Sequence, residues 1–366
     1  MQNAECKIEF ATDILHFEFC IFRGAVAMTY TENYIKDLVR VQAAVPCWER
    51  LAGRRVLVTG AGGLICSALV DLLMARGGIH VWAAGRDVEK LRRRFSHWEG
   101  RPELHFVQYD ALNPLSWEGD FDFFVHGASN ANPAAYSAQP VETMMANILG
   151  LERILRYAAD RGGRVLYVSS SEVYGKKEGP ELYGEQDYGF VDLLHPRACY
   201  PSAKRAAETL CAAYAAEYGV EAVIVRPGHI YGPTATASDD RASTQFPREV
   251  LAGKDIVMKS AGTQLRSYCY VLDCVSAMAA VLTCGESGRA YNISNKNSLV
   301  TIRQMAQAFA DAAGRQLTFA DPTDAERRGY NLMENSGLDA TALEALGWHG
   351  MFDLEAGVKA TLDAMN

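Results

Sequence analysis

Short apolar runs alternate with longer amphipathic stretches from Arg54 onward. Arg55–Thr59 reads as a strand and Leu64–Arg76 as a helix, with further strands at 79–84, 105–109, 121–126, 164–169 and 220–226. Long helices fit 141–161 and 198–218. Strands this uniformly apolar are covered on both faces, and strands that alternate with helices pair in parallel. The expected fold class is therefore α/β, a doubly wound parallel sheet. After Pro233 the rhythm gives way to loops, short strands and two helical patterns, near 301–313 and 338–346. A smaller C-terminal α/β part is expected there, capping the carboxyl ends of the strands, where ligands bind in such sheets. Ahead of the first strand, Thr31 can cap a helix over 31–45 in which Tyr34, Ile35, Leu38 and Val39 share a face. Residues 1–27 match no later pattern; we expect Met28 to be the natural start and 1–27 to be non-native or disordered.

Size and charge narrow the class of function. A chain of 366 residues, 49% hydrophobic, can bury a large core. A formal charge of −8 and a pI near 5.6 argue against nucleic acid or an anionic membrane as partner. Ligand phosphates must then be held by local dipoles and a few placed cations. The nine cysteines form an odd set without a CxxC pair, which suits a reduced, cytoplasmic compartment better than a disulfide framework or a zinc site, and no metal is expected. The apolar stretch 8–27 is broken by Asp13, His16, Glu18 and Arg23, too short and too charged to span a bilayer.

Candidate chemistry begins at Val58-Thr59-Gly60-Ala61-Gly62-Gly63-Leu64-Ile65-Cys66. Glycines between a first strand and an amphipathic helix permit a tight turn, close approach of backbone to a pyrophosphate, and a helix N-terminus that faces it. This is the pattern of a Rossmann-type dinucleotide site, with Gly60, Gly63, Leu64 and Ile65 at the phosphates. Cys66 takes the third glycine position of GxxGxxG, where a buried packing thiol is expected. The second strand ends Ala84-Gly85-Arg86-Asp87. An NAD enzyme usually carries an acid where Gly85 stands, whereas Arg86 could meet the 2′-phosphate of NADP. Two further readings stay open: Asp87 swings in, or Arg86 is a solvated surface charge. NAD is the expected cofactor, with NADP left open. Asp110 is a candidate for the adenine edge, or else a plain helix cap.

Two more motifs bear on catalysis. Ser169-Ser170-Ser171-Glu172-Val173-Tyr174-Gly175 follows a strand, and Tyr200-Pro201-Ser202-Ala203-Lys204 opens a helix. Tyr200 and Lys204 are four apart and share a helix face, where an ammonium would lower the phenol from about 10 and make it a base. A YxxxK arises by chance often enough. With the glycine turn upstream and serines at a strand end, chance is a poor explanation.

Together these motifs resemble the extended short-chain dehydrogenase/reductases of the NAD-dependent epimerase/dehydratase family, over residues 54–350. The resemblance extends to His126-Gly127-Ala128-Ser129, Asn147, Arg226-Pro227-Gly228-His229-Ile230-Tyr231-Gly232-Pro233, Arg266-Ser267-Tyr268 and Leu346-Gly347-Trp348. Pro196-Arg197-Ala198-Cys199-Tyr200 looks most like the UDP-glucuronate decarboxylase branch. The resemblance implies a nucleoside-diphosphate sugar as substrate, a homodimer formed through a four-helix contact, and a set of roles. Tyr200 takes the proton of the sugar C4 hydroxyl while NAD(P)+ takes the hydride. Ser170 binds that hydroxyl, Lys204 holds the nicotinamide ribose, and Ala128 lies beside the cofactor. Arg266 contacts the diphosphate. Ser129, Ser171, His229 and Arg241 face the substrate, Tyr174 and His126 line the site, and Asn147 is structural. The implied division is an N-terminal extension over 1–50, an NAD(P)-binding domain over 51–233 and a mainly substrate-binding part over 234–366.

A 4-keto sugar can be re-reduced, lose water or lose a carboxylate. Glu172, two residues beyond Ser170, resembles the base that removes the acidified C5 proton. The acid that dTDP-glucose dehydratases carry just before it is Ser171 here. Where the decarboxylase branch has a basic residue near its C-terminus, this chain has Glu334, with Arg327 and Arg328 nearby, and His229 replaces an asparagine of most relatives. The expected reaction is oxidation at C4 followed by C5 chemistry, either 4,6-dehydration or decarboxylation. The alternatives are a 4-epimerase, a catalytically lapsed NAD(P)-binding regulator (suggested by Cys66 and Gly85), and a plain NADPH reductase of a small carbonyl compound.

Overall fold

The computed structural model describes residues 31–115, 117, 119–131, 133–179, 181–321 and 334–366. The expectations for residues 1–27 and Met28, and for Arg327 and Arg328, lie outside these. The chain opens with α1 (Glu32–Val41), capped by the Thr31 side chain and buried along Tyr34, Leu38 and Val41. Beyond Val41 the expected helix tightens into a single 3-10 turn over 42–44. There follow β1 (Arg55–Thr59), α2 (Leu64–Arg76), β2 (His80–Gly85), α3 (Val88–Arg94), β3 (Leu104–Gln108), β4 (Phe123–His126), α4 (Pro133–Ala138), α5 (Pro140–Arg161), β5 (Arg164–Val168), α6 (Cys199–Tyr218) and β6 (Ala222–Pro227). The later elements are β7 (His229–Tyr231), α7 (Ala242–Leu251), β8 (Ile256–Met258), β9 (Leu265–Tyr270), α8 (Val271–Cys284), β10 (Ala290–Ile293), β11 (Leu299–Thr301), α9 (Ile302–Ala312), β12 (Leu317–Phe319), β13 (Asn335–Ser336), α10 (Thr341–Glu344) and α11 (Leu354–Met365).

Seven strands form one parallel sheet in the order β10-β6-β5-β4-β1-β2-β3. Successive side chains of a strand face opposite ways, and the two faces bury separate cores. Val56, Val58, Leu166, Val168, Val223 and Val225 pack with α2 and α8, whereas Leu57, Val165, Tyr167, Ala222 and Ile224 pack with α5 and α6. The chain winds one way through β1, β2 and β3, then the other way through β4, β5 and β6. A crevice therefore opens at the carboxyl ends of β1 and β4, where the winding reverses.

The expected division after residue 233 is crossed by the chain. β10 pairs with β6 and α8 covers the sheet beside α2, so residues 271–293 complete the first layer. The remaining strands form a smaller sheet, β11-β9-β13 with β7 beside β9, and a β12-β8 pair. The helical pattern read near 338–346 shrinks to α10. The Asp339 carboxylate accepts from Thr341 N at 2.8 Å, and Gly347, with φ of 91°, ends the turn.

α2 is enclosed, with every residue from Cys66 to Ala75 buried. Asp71 sits within that apolar stretch and is tolerated because donors surround it: Tyr34 Oη at 3.2 Å, His97 Nε2 at 2.8 Å and Trp98 Nε1 at 2.8 Å. Through Tyr34 this network ties α1 to the helix that begins at the glycine turn. Leu38 of α1 is fully buried. Leu38→Ala is expected to cost about 2–5 kcal/mol in urea unfolding. A loss well under 1 kcal/mol would show that α1 adds nothing to the core.

Candidate active site

The glycine turn is shaped by close backbone approach. Gly60 has φ of 69°, and a Cβ there would lie 2.7 Å from the Gly127 carbonyl oxygen and 2.9 Å from Ala128 N. Any side chain would therefore push apart the loops after β1 and β4. Gly63 caps α2 in extended conformation, so the first N–H groups of the helix, those of Leu64 and Ile65 among them, face outward without intrahelical partners. Cys66 and Gly127 share one space: a Cβ on Gly127 would meet the Cys66 Sγ at 2.3 Å. The thiol thus fills room that the third glycine of the motif would leave. Burial pushes it up to about 12, which fits a packing role.

At the ends of β2 and β3 a cleft of about 270 Å³ is lined by Arg86, Gln108, Tyr109, Asp110, Asn113, Pro114, Leu115 and Trp117. Asp87 does not swing toward it: its carboxylate caps α3, accepting from Lys90 N at 2.9 Å. Asp110 closes a turn by accepting from Leu112 N at 3.0 Å, and no helix starts there for it to cap. The cradle at Gly60 and this cleft suit an adenine dinucleotide, and Arg86 belongs to the lining of the cleft. Arg86→Ala is expected to weaken NADP binding roughly ten- to hundredfold, with NAD little changed, since a charge-assisted phosphate contact contributes about 1.5–3 kcal/mol. Equal losses for both cofactors in calorimetry would make Arg86 a bystander.

Ser170, Tyr200 and Lys204 converge at the carboxyl end of β5. Ser170 caps the 3-10 turn over 171–174, and its hydroxyl is one of the influences that act to lower the Tyr200 phenol. Lys204 is buried, its Nζ donating to Val168 O at 2.8 Å and lying 5.7 Å from the Tyr200 ring centroid. The expected lowering of the phenol is not found. Burial, with the nearby Glu172 carboxylate, pushes Tyr200 up to about 12, while burial brings Lys204 down to about 7. The phenol stacks on Tyr136 at 5.1 Å in a dry wall, where desolvation outweighs the pull of neighbouring cations.

Glu172 is engaged by Arg197, whose Nη2 lies 3.0 Å from Oε1 and 3.3 Å from the Tyr136 hydroxyl. Sequence reasoning missed Arg197 and Tyr136 as members of the site. Arg197 stood in the motif quoted around Tyr200, but only the fold shows which carboxylate it meets. Ser171 is half-buried in the same turn. Ser129, after β4, has a buried hydroxyl with no hydrogen-bond partner among the described residues.

His229, Arg241 and Arg266 come together from the smaller part. Burial and the charges of Arg266 and Arg241 bring His229 down to about 3, so the imidazole is neutral, and its buried Nδ1 has no partner among the described residues. Arg241 is held by Asp239 at 2.5 Å, and its charge also reaches Tyr200. Arg266 donates to Leu265 O at 2.8 Å and is buried. Glu334 is exposed, and its backbone carbonyl accepts from Leu265 N at 2.8 Å beside Arg266.

Three residues sit in the walls. Tyr174 bonds Asn292 Oδ1 at 2.5 Å and Arg226 Nη1 at 3.0 Å, inside the buried Arg226–Glu208 pair. His126 bonds Thr59 Oγ1 at 2.9 Å and is brought down to about 3 by burial and by Lys204. Asn147 spans Thr143 O at 2.8 Å and the Tyr167 hydroxyl at 3.4 Å.

Residues 56–294 match the NAD dependent epimerase/dehydratase family. The chain is 31% identical to UDP-glucuronic acid decarboxylase 1 of Xenopus tropicalis, over 84% of this chain and 71% of that one. It is 30% identical to UDP-glucuronic acid decarboxylase 3 of Arabidopsis thaliana, over 83% and 86%. Among solved structures it is similar to the Thermus thermophilus UDP-glucose 4-epimerase complex with NAD, with a TM-score of 0.70 and 25% identity over 85% of this chain and 98% of that one. The dTDP-glucose 4,6-dehydratase of Streptomyces venezuelae shares the fold, with a TM-score of 0.71 and 24% identity over 84% and 95%.

Proposed function

We propose that this chain, which belongs to the NAD-dependent epimerase/dehydratase family, oxidises C4 of a nucleoside-diphosphate sugar and then carries out chemistry at C5. The observation that carries this reading is the convergence of two proton-transfer groups: the Tyr200 phenol, with Ser170 beside it, and the Glu172 carboxylate whose charge reaches that phenol. When bound, the oxidised nicotinamide supplies a hydride acceptor for C4 and a positive charge near Tyr200. Ser170 orients the C4 hydroxyl and Tyr200 removes its proton. Lys204 holds the cofactor ribose. Glu172 removes the C5 proton that the 4-ketone makes acidic; where a carboxylate departs from C5 as carbon dioxide instead, the bond pair passes into the 4-ketone as an enolate, and Glu172 in its protonated form delivers the proton that C5 then takes up. Arg197 aims Glu172 by a charge-assisted bond. Arg266, Arg241 and His229 meet the diphosphate and sugar, with Ser129 and Ser171 at the rim.

Decarboxylation is the favoured outcome, supported by the names of the relatives and by Arg197, a cation beside the place where a uronate would lie. On this reading residues 51–233 supply most of the cofactor site and 234–366 most of the substrate side. Val141, Met145 and Leu149 form an exposed apolar stripe at i, i+4 and i+8 on α5, which supports a homodimer through α5 and α6. No helix among the described residues is long and apolar enough to cross a membrane, and a cytoplasmic site suits the free thiols. Mass spectrometry after incubation with a panel of UDP-, dTDP- and GDP-sugars tests the reading. Loss of carbon dioxide from a nucleotide uronate supports decarboxylation and loss of water supports dehydration. A product of unchanged mass and altered retention supports an epimerase, and no turnover of any sugar overturns the proposal.

A further inference from the structure

Far from the catalytic residues, two cysteines meet where the segment after α1 wraps the end of α8. Cys47 is exposed, whereas Cys66, Cys199, Cys211, Cys269 and Cys274 are all buried. Its thiol has as neighbour that of Cys284, the half-buried last residue of α8. The two backbones are held together on either side of the pair. Thr283 Oγ1 donates to Pro46 O at 3.1 Å, and the Arg50 guanidinium donates to Thr283 O. Cys47 has φ of 56°, the left-handed region, and among the described residues it is the one non-glycine with a positive φ. A side chain there is costly unless its surroundings impose the turn.

The geometry points to Cys47 and Cys284 as an oxidation site, at which a small-molecule disulfide converts the thiol pair into a bond that staples residues 42–51 to α8. The chemistry balances as two exchanges. The Cys47 thiolate attacks the small disulfide, forming a mixed disulfide and releasing one thiol. Cys284, having lost its proton, attacks the Cys47 sulfur, closing the protein disulfide and releasing the second thiol. Two electrons and two protons pass from protein to reagent. The bonds from Thr283 to Pro46 and from Arg50 to Thr283 hold the two cysteines as neighbours, and closing the pair forms a bond of about 2.05 Å. An exposed Cys47 gives the reagent access, and a neighbouring resolving thiol removes the mixed disulfide. This site is independent of the nucleotide-sugar reading. Its mechanical effect still reaches the cofactor helix, because α8 and α1 both pack against α2.

The test equilibrates the full chain with oxidised and reduced glutathione at a series of ratios, blocks free thiols with an alkylating reagent, and maps disulfides by peptide mass spectrometry. A Cys47–Cys284 linked peptide is expected at oxidising ratios and is lost on adding dithiothreitol. The oxidised protein should melt roughly 4–8 °C higher than the reduced one. Cys47→Ser and Cys284→Ser should each abolish both the peptide and the shift while leaving the reduced melting temperature nearly unchanged. A stable glutathione adduct on Cys47 with no internal link would overturn the inference, as would links from Cys47 to Cys6 or Cys20, or full alkylation of both thiols at the most oxidising ratio.

Discussion

Replacing Tyr200 by phenylalanine is expected to lower turnover by about 10²–10⁴ while cofactor and nucleotide sugar still bind. The residue is buried and its ring stacks on Tyr136. Phenylalanine keeps the ring and its stacking on Tyr136, and removes the hydroxyl that the proposed mechanism uses to take the C4 proton. The loss should fall on kcat with little change in KM. A second signature is the dependence on pH. Burial holds the free enzyme's phenol protonated, with its pKa pushed up to about 12. The basic form therefore becomes more abundant as pH rises through the neutral range, and kcat/KM of the wild type should rise with it. The phenylalanine variant should lose that slope. Wild-type turnover in the variant would remove Tyr200 from the mechanism.

Glu172→Gln should stop product formation by a similar factor, about 10²–10⁴, yet leave the first oxidation intact. The electrostatics favour that separation. The Glu172 charge is among the influences that raise Tyr200, so neutralising it lowers the phenol and eases removal of the C4 proton. The Glu172–Arg197 pair is partly exposed, at 24% and 40%, so its loss costs the fold little. The variant should accumulate reduced nicotinamide, visible in absorbance, together with a trapped 4-keto sugar. In a pure 4-epimerase the ketose only turns over and is re-reduced, so Glu172 would matter little. Undiminished product from Glu172→Gln would sink the C5 chemistry and promote the epimerase reading.

Much of the fold was legible because the central strands are buried on both faces and so read as unbroken apolar runs, such as Val56-Leu57-Val58. The seventh strand was not. Ala290-Tyr291-Asn292-Ile293 is short and carries a buried asparagine, which is satisfied by bonds to Tyr174, Tyr183 and Asp339 that no periodicity reveals. At the site, local motifs located Gly60, Ser170, Tyr200 and Lys204, since each is tied to a strand end or a helix face. What sequence could not give was the balance among neighbours. Proximity of a lysine suggested a lowered phenol, whereas desolvation depends on what else lines the wall, and here Tyr136 and Glu172 do. Arg197 went unassigned for the same reason.

The crossing of the chain at β10 and α8 also bears on the timing of synthesis. When Pro233 has been made, β6 still lacks its outer neighbour and α2 lacks the helix that covers it. A further stretch of about 60 residues, up to Ile293, must emerge, which takes roughly 3–12 seconds at about 5–20 residues per second. During that interval a nascent chain that already carries the glycine turn, Ser170, Tyr200 and Lys204 has an open sheet edge and an uncovered apolar face. Those are the surfaces by which unfinished chains pair with one another. Slow translation between residues 233 and 293 should therefore favour aggregation more than slowing anywhere after the sheet has closed.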